Sequence, residues 1–230
     1  MAPLLKFFAG PEGTGSSNKT RANHHITIGV PLVSRTKKRL QGHLYNKKLR
    51  VVCRTCNNGW MSRMEQDRKF AIGRMISGLP IILEVPDLQG LATWIAARAM
   101  IFERDDPPTA AIPRSDYHYL MEHKLPPPNW HIWIGSYHGK SWQVRVKHTS
   151  VHAASAFPLV MKPNLQSTSF GAGSLFVHAV SATQDGLEPS PPLISSMMKI
   201  WPPRTMSLHW PLPFVTDDDM ADTFGYMLGE

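Results

Sequence analysis

The 230-residue sequence contains only two cysteines, Cys53 and Cys56. A small secreted domain held together by disulfides needs more, so this class of protein is excluded. The sequence also lacks a run of about 20 apolar residues, which a membrane-spanning helix requires. Its N-terminus lacks the long apolar segment of a signal peptide. We therefore expect no membrane partner and a cytoplasmic location.

Acidic residues are scarce at the N-terminal end. Residues 1–74 contain three Asp and Glu against 15 Lys and Arg, a net charge of +12. Residues 75–230 contain 14 acidic against 10 basic residues, a net charge of −4. A concentrated positive charge attracts polyanions such as nucleic acids. The distribution therefore favours a DNA-binding function, and a solvated basic surface without a partner is the alternative.

The N-terminal residues predict a β-hairpin that leads into a helix. β-branched residues predict strands at 24–34 and 44–53, with a basic turn at 35–39 between them. Ser62 and Glu65 have the spacing of a capping box, which predicts the start of the helix. Its apolar face would include Met64, Phe70, Ala71 and Met75, and the segment Ser-Gly-Leu-Pro at 77–80 would end it.

The remaining residues predict an α+β organisation. Apolar residues at three- to four-residue spacing predict a helix at about 87–104, and a short helix follows Pro113. From residue 131 the pattern changes to period two, which predicts an antiparallel sheet. The proline-rich tail is expected to be extended chain, followed by an acidic turn or helix start. We predict two units: a basic hairpin–helix module at 1–78 and a helical plus antiparallel β domain at 79–230.

The spacing of the two cysteines matches half of a zinc site. Two thiolates separated by two residues can bind one zinc ion, and a closed structural site needs four ligands. The nearest histidines that could complete it are His24, His25 and His43. A redox-active dithiol is one alternative. Two ordinary buried thiols are another.

The segment KKLRVVCRTCNNGWMSRME at 47–65 resembles the core motif of a bacterial and phage family of HNH endonuclease-like proteins. These proteins are the zinc-containing branch of the ββα-metal, or His-Me finger, nucleases. The heptapeptide CNNGWMS is the most specific part of the resemblance. The similarity extends through LATWIAARAM at 91–100 to the late KIWPP and HWP segments, and so covers about 35–215.

The resemblance implies a hairpin and helix that bind a catalytic Mg²⁺ or Mn²⁺ beside a zinc knuckle made of two CxxC pairs. Cys53 and Cys56 match the second pair, and Asn57 matches the position of the final His or Asn of the HNH motif. In the family an upstream CxxC pair and a Glu-His motif precede this segment, and the histidine is the general base. Neither motif is present here, so we expect that the natural protein starts further upstream. Among the residues present, His25, with its neighbour His24, is the candidate general base.

The working hypothesis is an HNH endonuclease-like protein that acts on DNA by metal-dependent phosphodiester hydrolysis, with that activity lost if the missing motif is essential. The alternative is a non-catalytic DNA-binding or protein-interaction module derived from such a nuclease. Phosphate contacts position a duplex without reading its sequence. We assign them to seven basic residues: Lys37, Lys38, Arg39, Lys47, Lys48, Arg50 and Arg54.

Overall fold

The structure is a computed structural model, and it describes residues 19–25, 34–40, 51–104, 110–151, 163–183 and 196–225. Within these ranges the chain combines helices with largely antiparallel sheets, which confirms the predicted α+β class. None of the described helices has both the length and the apolar character needed to cross a bilayer.

The N-terminal strands form a two-stranded antiparallel ribbon. Strand β1 (Lys19–His25) pairs with β2 (Ser34–Leu40) along its whole length. The predicted turn at 35–39 is therefore wrong, because these residues lie inside β2. The segment RTKKR contains none of the Gly, Pro, Asn or Asp residues that turns prefer. The predicted strand at 44–53 lies mostly outside the described residues, and its last three residues do not form a strand.

Two consecutive helices follow, and they begin earlier than predicted. Helix α1 (Arg54–Asn58) starts directly after Cys53, and α2 (Trp60–Ile76) follows after Gly59. The capping-box prediction is wrong because Ser62 and Glu65 both lie inside α2. The predicted end of the helix is confirmed: Ser77 is the C-cap and Gly78 has the positive φ of 68° that favours glycine.

The two longest helices cross at a buried ion pair. Glu65 of α2 pairs with Arg98 of α3 (Val85–Glu103), and both side chains are largely buried. Phe70, in contrast, is 71% exposed with Arg74 stacked on its ring, so the prediction that it shares one apolar face with the buried Met75 is wrong. The predicted helices at about 87–104 and after Pro113 are confirmed as α3 and α4 (Arg114–His123).

The C-terminal half is built around a six-stranded sheet, as the period-two pattern predicts. The remaining elements are β3 (Ile81–Glu84), β4 (Trp130–Tyr137), β5 (Val144–Val151), β6 (Leu165–Ala172), β7 (Leu175–Ala182), β8 (Met198–Trp201), β9 (Ser207–Trp210), β10 (Val215–Thr216) and α5 (Asp218–Gly225).

The strand order in the six-stranded sheet is β10-β4-β7-β6-β5, and β8 also pairs with β4. Only the β10–β4 pair is parallel. The extended tail supplies β8 and β9, and β9 pairs with β3 in a separate ladder. The predicted acidic helix start is confirmed as α5.

Both faces of this sheet are covered by buried side chains. One cluster joins α2 and α3 to the sheet and includes Met75, Trp94 and Phe170. Because α2 precedes residue 78 and α3 follows it, the packing continues across the predicted boundary between the two units. The other cluster lies on the opposite face, where Phe224 of α5 packs with Phe176. This arrangement explains why every residue of β4, β6 and β7 is buried.

Candidate functional site

The two cysteines lie at the start of α1, with Cys53 as its N-cap and Cys56 in its first turn. Cys53 has an extended backbone, and its Sγ accepts a hydrogen bond of 3.3 Å from the backbone N–H of Cys56. This sulfur takes the capping role that Ser, Thr or Asp has in most helices. Both thiols are free, with Cys53 exposed and Cys56 partly exposed. The alternative of two buried thiols is therefore wrong.

The environment distinguishes the two thiols chemically. The backbone N–H of Cys56 donates to the Cys53 sulfur, and this hydrogen bond, together with the neighbouring Cys56 side chain, lowers the pKa of Cys53 because it stabilises the thiolate. The same contact between the side chains raises the pKa of Cys56, and partial burial adds to the increase. Cys53 is therefore the more acidic thiol of the pair.

A cation from a distant part of the chain lies beside this pair. Lys124, the left-handed residue that ends α4, places its Nζ 4.6 Å from the centre of the Trp60 ring. The backbone oxygen of Lys124 accepts a 2.7 Å hydrogen bond from Thr93 of α3, which fixes this position. The charge of Lys124 and the indole of Trp60 both act on Cys56 and lower its pKa, which partly opposes the contact with Cys53.

The remaining residues of the motif have simple environments. Asn57 lies in α1, where its side-chain amide donates a 3.1 Å hydrogen bond to the neighbouring Asn58. Arg54 is the first residue of α1 and is exposed. His24 and His25 are the last two residues of β1, where they lie opposite Arg35 and Ser34 of β2. The candidates His43, Lys47, Lys48 and Arg50 lie outside the described residues.

The β1–β2 ribbon is strongly basic. It carries six Lys and Arg in fourteen residues, seven from each strand, and no acidic residue. The register places Arg21 directly opposite Lys38. Like charges at directly opposed positions destabilise a strand pair. The sequence prediction included three of the six: Lys37, Lys38 and Arg39. It missed Arg35, which lies in the same strand as these three, and also Lys19 and Arg21, which only the strand pairing places in this ribbon.

The described side chains supply only part of a metal site. No group of three or more His, Cys, Asp or Glu that could hold one ion occurs within the described ranges. Cys53 and Cys56 provide two sulfur ligands, whereas a closed structural zinc site has four. Zinc at this position remains a prediction that needs two further ligands from elsewhere. The same holds for the catalytic Mg²⁺ or Mn²⁺ that the resemblance implies.

Comparison with known proteins gives no relative. No protein-family model, no curated protein and no solved structure matches the chain. The resemblance to HNH endonuclease-like proteins therefore depends on the motif around Cys53 and Cys56.

Proposed function

We propose that this chain is an HNH endonuclease-like protein that binds DNA, with its basic β1–β2 ribbon as the main phosphate-binding element. The observation that carries the proposal is the charge of the ribbon: six cations and no carboxylate on two fully paired strands. The CxxC motif, from which the resemblance comes, follows the ribbon in sequence. Both features lie in the part of the chain where acidic residues are scarce.

The shape of the ribbon suits duplex DNA. The major groove of B-form DNA admits a two-stranded β-ribbon. Seven residues per strand at about 3.4 Å each span roughly 24 Å, which is several base pairs. The cations would contact phosphates on either side of the groove, and such contacts position the duplex without reading its sequence. A phosphate opposite the Arg21–Lys38 pair would also relieve the repulsion between these two residues.

Salt dependence provides the test of binding. If all six cations neutralise phosphates, the logarithm of the binding constant should fall with the logarithm of salt concentration with a slope of about −5. We would measure fluorescence anisotropy of a labelled duplex at several salt concentrations. The variant Lys37→Gln/Lys38→Gln/Arg39→Gln should reduce the magnitude of this slope by about 3.

The matched control removes the same number of charges elsewhere. Arg114, Lys140 and Arg204 are exposed and lie outside the ribbon. The triple Gln variant of these residues should leave the slope unchanged. If both triple variants weaken binding equally, net charge and not the ribbon drives association. If the wild-type chain does not bind DNA at moderate salt, a basic module that binds an acidic protein is the better explanation.

Hydrolysis requires a separate test. In the proposed nuclease reaction His25 would remove a proton from the attacking water, Asn57 would support the metal site, and Mg²⁺ or Mn²⁺ would stabilise the leaving oxygen. Plasmid nicking in either metal, abolished in His25→Ala but retained in His24→Ala, would support catalysis with this assignment. Salt-sensitive DNA binding without nicking would identify a non-catalytic relative of the nucleases.

A further inference from the structure

We propose that Cys53 and Cys56 form a redox-sensitive dithiol, which closes into an intramolecular disulfide when it meets a small-molecule disulfide such as oxidised glutathione. Three observations support this site. The cysteines have CxxC spacing, neither sulfur is already in a disulfide, and the Cys56 backbone N–H donates a 3.3 Å hydrogen bond to the sulfur of Cys53. The proposal does not depend on DNA binding.

The difference in exposure assigns a separate role to each thiol. Cys53 is exposed before the first turn of α1, so a dissolved disulfide reaches it first. Cys56 is only partly exposed and lies about one turn further along, with its backbone nitrogen 3.3 Å from the Cys53 sulfur. Cys53 is therefore the attacking thiol and Cys56 the resolving thiol. Lys124, stacked on Trp60, brings a positive charge to the side of Cys56.

The reaction is a thiol–disulfide exchange in two steps. In the first step the Cys53 thiolate attacks one sulfur of oxidised glutathione, the S–S bond of the reagent breaks, and one glutathione thiolate leaves. In the second step Cys56 loses its proton to solvent and attacks the Cys53 sulfur, and the second glutathione leaves. The two protein thiols are oxidised to one disulfide while one oxidised glutathione is reduced to two glutathione thiols.

This chemistry competes with the zinc site that the resemblance implies. A thiolate bound to zinc and a sulfur in a disulfide are mutually exclusive states of the same atom. The described residues provide two of the four ligands that a closed site needs, so only measurement separates the reactive dithiol from a metal knuckle. Metal content must therefore be measured on the same preparation as the thiols.

The experiment uses the full 230-residue chain and oxidised glutathione. Zinc in the purified protein is determined first, and free thiols and intact mass are then followed during oxidation. We expect both thiols to be lost together, with a monomer whose mass falls by two hydrogen atoms and recovers on reduction. Cys56→Ser should stop at a stable mixed disulfide with one glutathione. Cys53→Ser should form its mixed disulfide more slowly, because Cys56 is less exposed.

Three results would overturn the proposal. The thiols could remain free after prolonged exposure to oxidised glutathione. The wild-type chain could stop at the mixed disulfide or form only covalent dimers, which would show that Cys56 cannot resolve it. The purified chain could hold stoichiometric zinc and react only after a chelator removes the metal, which would assign the thiols to a zinc site. Each of these outcomes leaves the DNA-binding measurement unaffected.

Discussion

The ion pair between Glu65 and Arg98 offers the sharpest test of how α2, the helix that carries the motif, is fixed to the core. The Glu65 side chain is 4% exposed and that of Arg98 is 13% exposed. Burial lowers the pKa of Arg98 to about 10, so the guanidinium remains charged at neutral pH. One carboxylate oxygen of Glu65 and the Nε of Arg98 have no hydrogen-bond partner. The pair is therefore charged, buried and incompletely hydrogen-bonded.

In this environment, removing one charged partner should destabilise the fold, because the other charge would stay buried without its counter-ion. Arg98→Met leaves the carboxylate of Glu65 buried without its cation, which costs about 3 to 5 kcal/mol of unfolding free energy. For a chain of this size the loss corresponds to a decrease in Tm of roughly 6 to 20 °C. The double variant Glu65→Leu/Arg98→Met replaces the pair by apolar side chains. Its stability should be within about 1 kcal/mol of the wild-type value, or above it.

Urea unfolding followed by circular dichroism measures these free energies and completes a double-mutant cycle. Arg63 is the control, because it is an exposed arginine on the same helix. Arg63→Met should change stability by no more than about 0.5 kcal/mol. The reasoning is refuted if Arg98→Met is as stable as Arg63→Met, or if the double variant is as unstable as the sum of its two single changes.

Three further predictions follow from other buried or capped groups. Burial lowers the pKa of His178 from 6.5 to about 3. The unfolded chain therefore binds a proton below pH 6.5 that the folded chain does not, and the free energy of unfolding should be about 2 kcal/mol lower at pH 5 than above pH 6.5. Urea unfolding at pH 7.5 and 5 should show that this difference is lost in His178→Asn. The Asp218 carboxylate accepts hydrogen bonds from backbone N–H groups of the β4–β5 turn. Asp218→Asn should therefore lower the free energy of unfolding by about 1.5 kcal/mol in the same assay. Asp219 is exposed on the same helix, and Asp219→Asn should leave this free energy unchanged. If zinc binds the CxxC motif, Cys53→Ser/Cys56→Ser should abolish metal content and lower Tm; unchanged values of both would rule out the knuckle.

The elements that the sequence predicted well are those with local signals. Helix α3 has apolar residues at three- to four-residue spacing, and α2 ends at a glycine with positive φ, so both could be recognised from neighbouring residues. The start of α1 could not, because a cysteine sulfur replaces the usual hydroxyl or carboxylate cap. The Ser62–Glu65 spacing was misleading because both residues lie inside α2, where the Glu65 side chain pairs with Arg98 instead of capping a helix start.

The same distinction applies to the candidate site. The CxxC spacing identified the two thiols, but no local pattern indicated that Lys124 and Trp60 would lie beside them. That contact depends on how α4 ends and on the Thr93 hydrogen bond, which are properties of the packed helices. The basic residues of β1 were missed for a similar reason, since only the pairing with β2 shows that they belong to the same ribbon as Lys37, Lys38 and Arg39.

The repulsion between Arg21 and Lys38 makes the ribbon respond to ionic strength in two opposite ways. Added salt screens the two like charges and so favours pairing of β1 with β2 in the free protein. The same salt weakens attraction to phosphates. The observed binding constant therefore depends on salt in two ways. The fraction of protein with a paired ribbon rises with salt, whereas the affinity of that paired ribbon for phosphates falls. The measured salt slope will consequently be shallower than the number of phosphates that the ribbon neutralises.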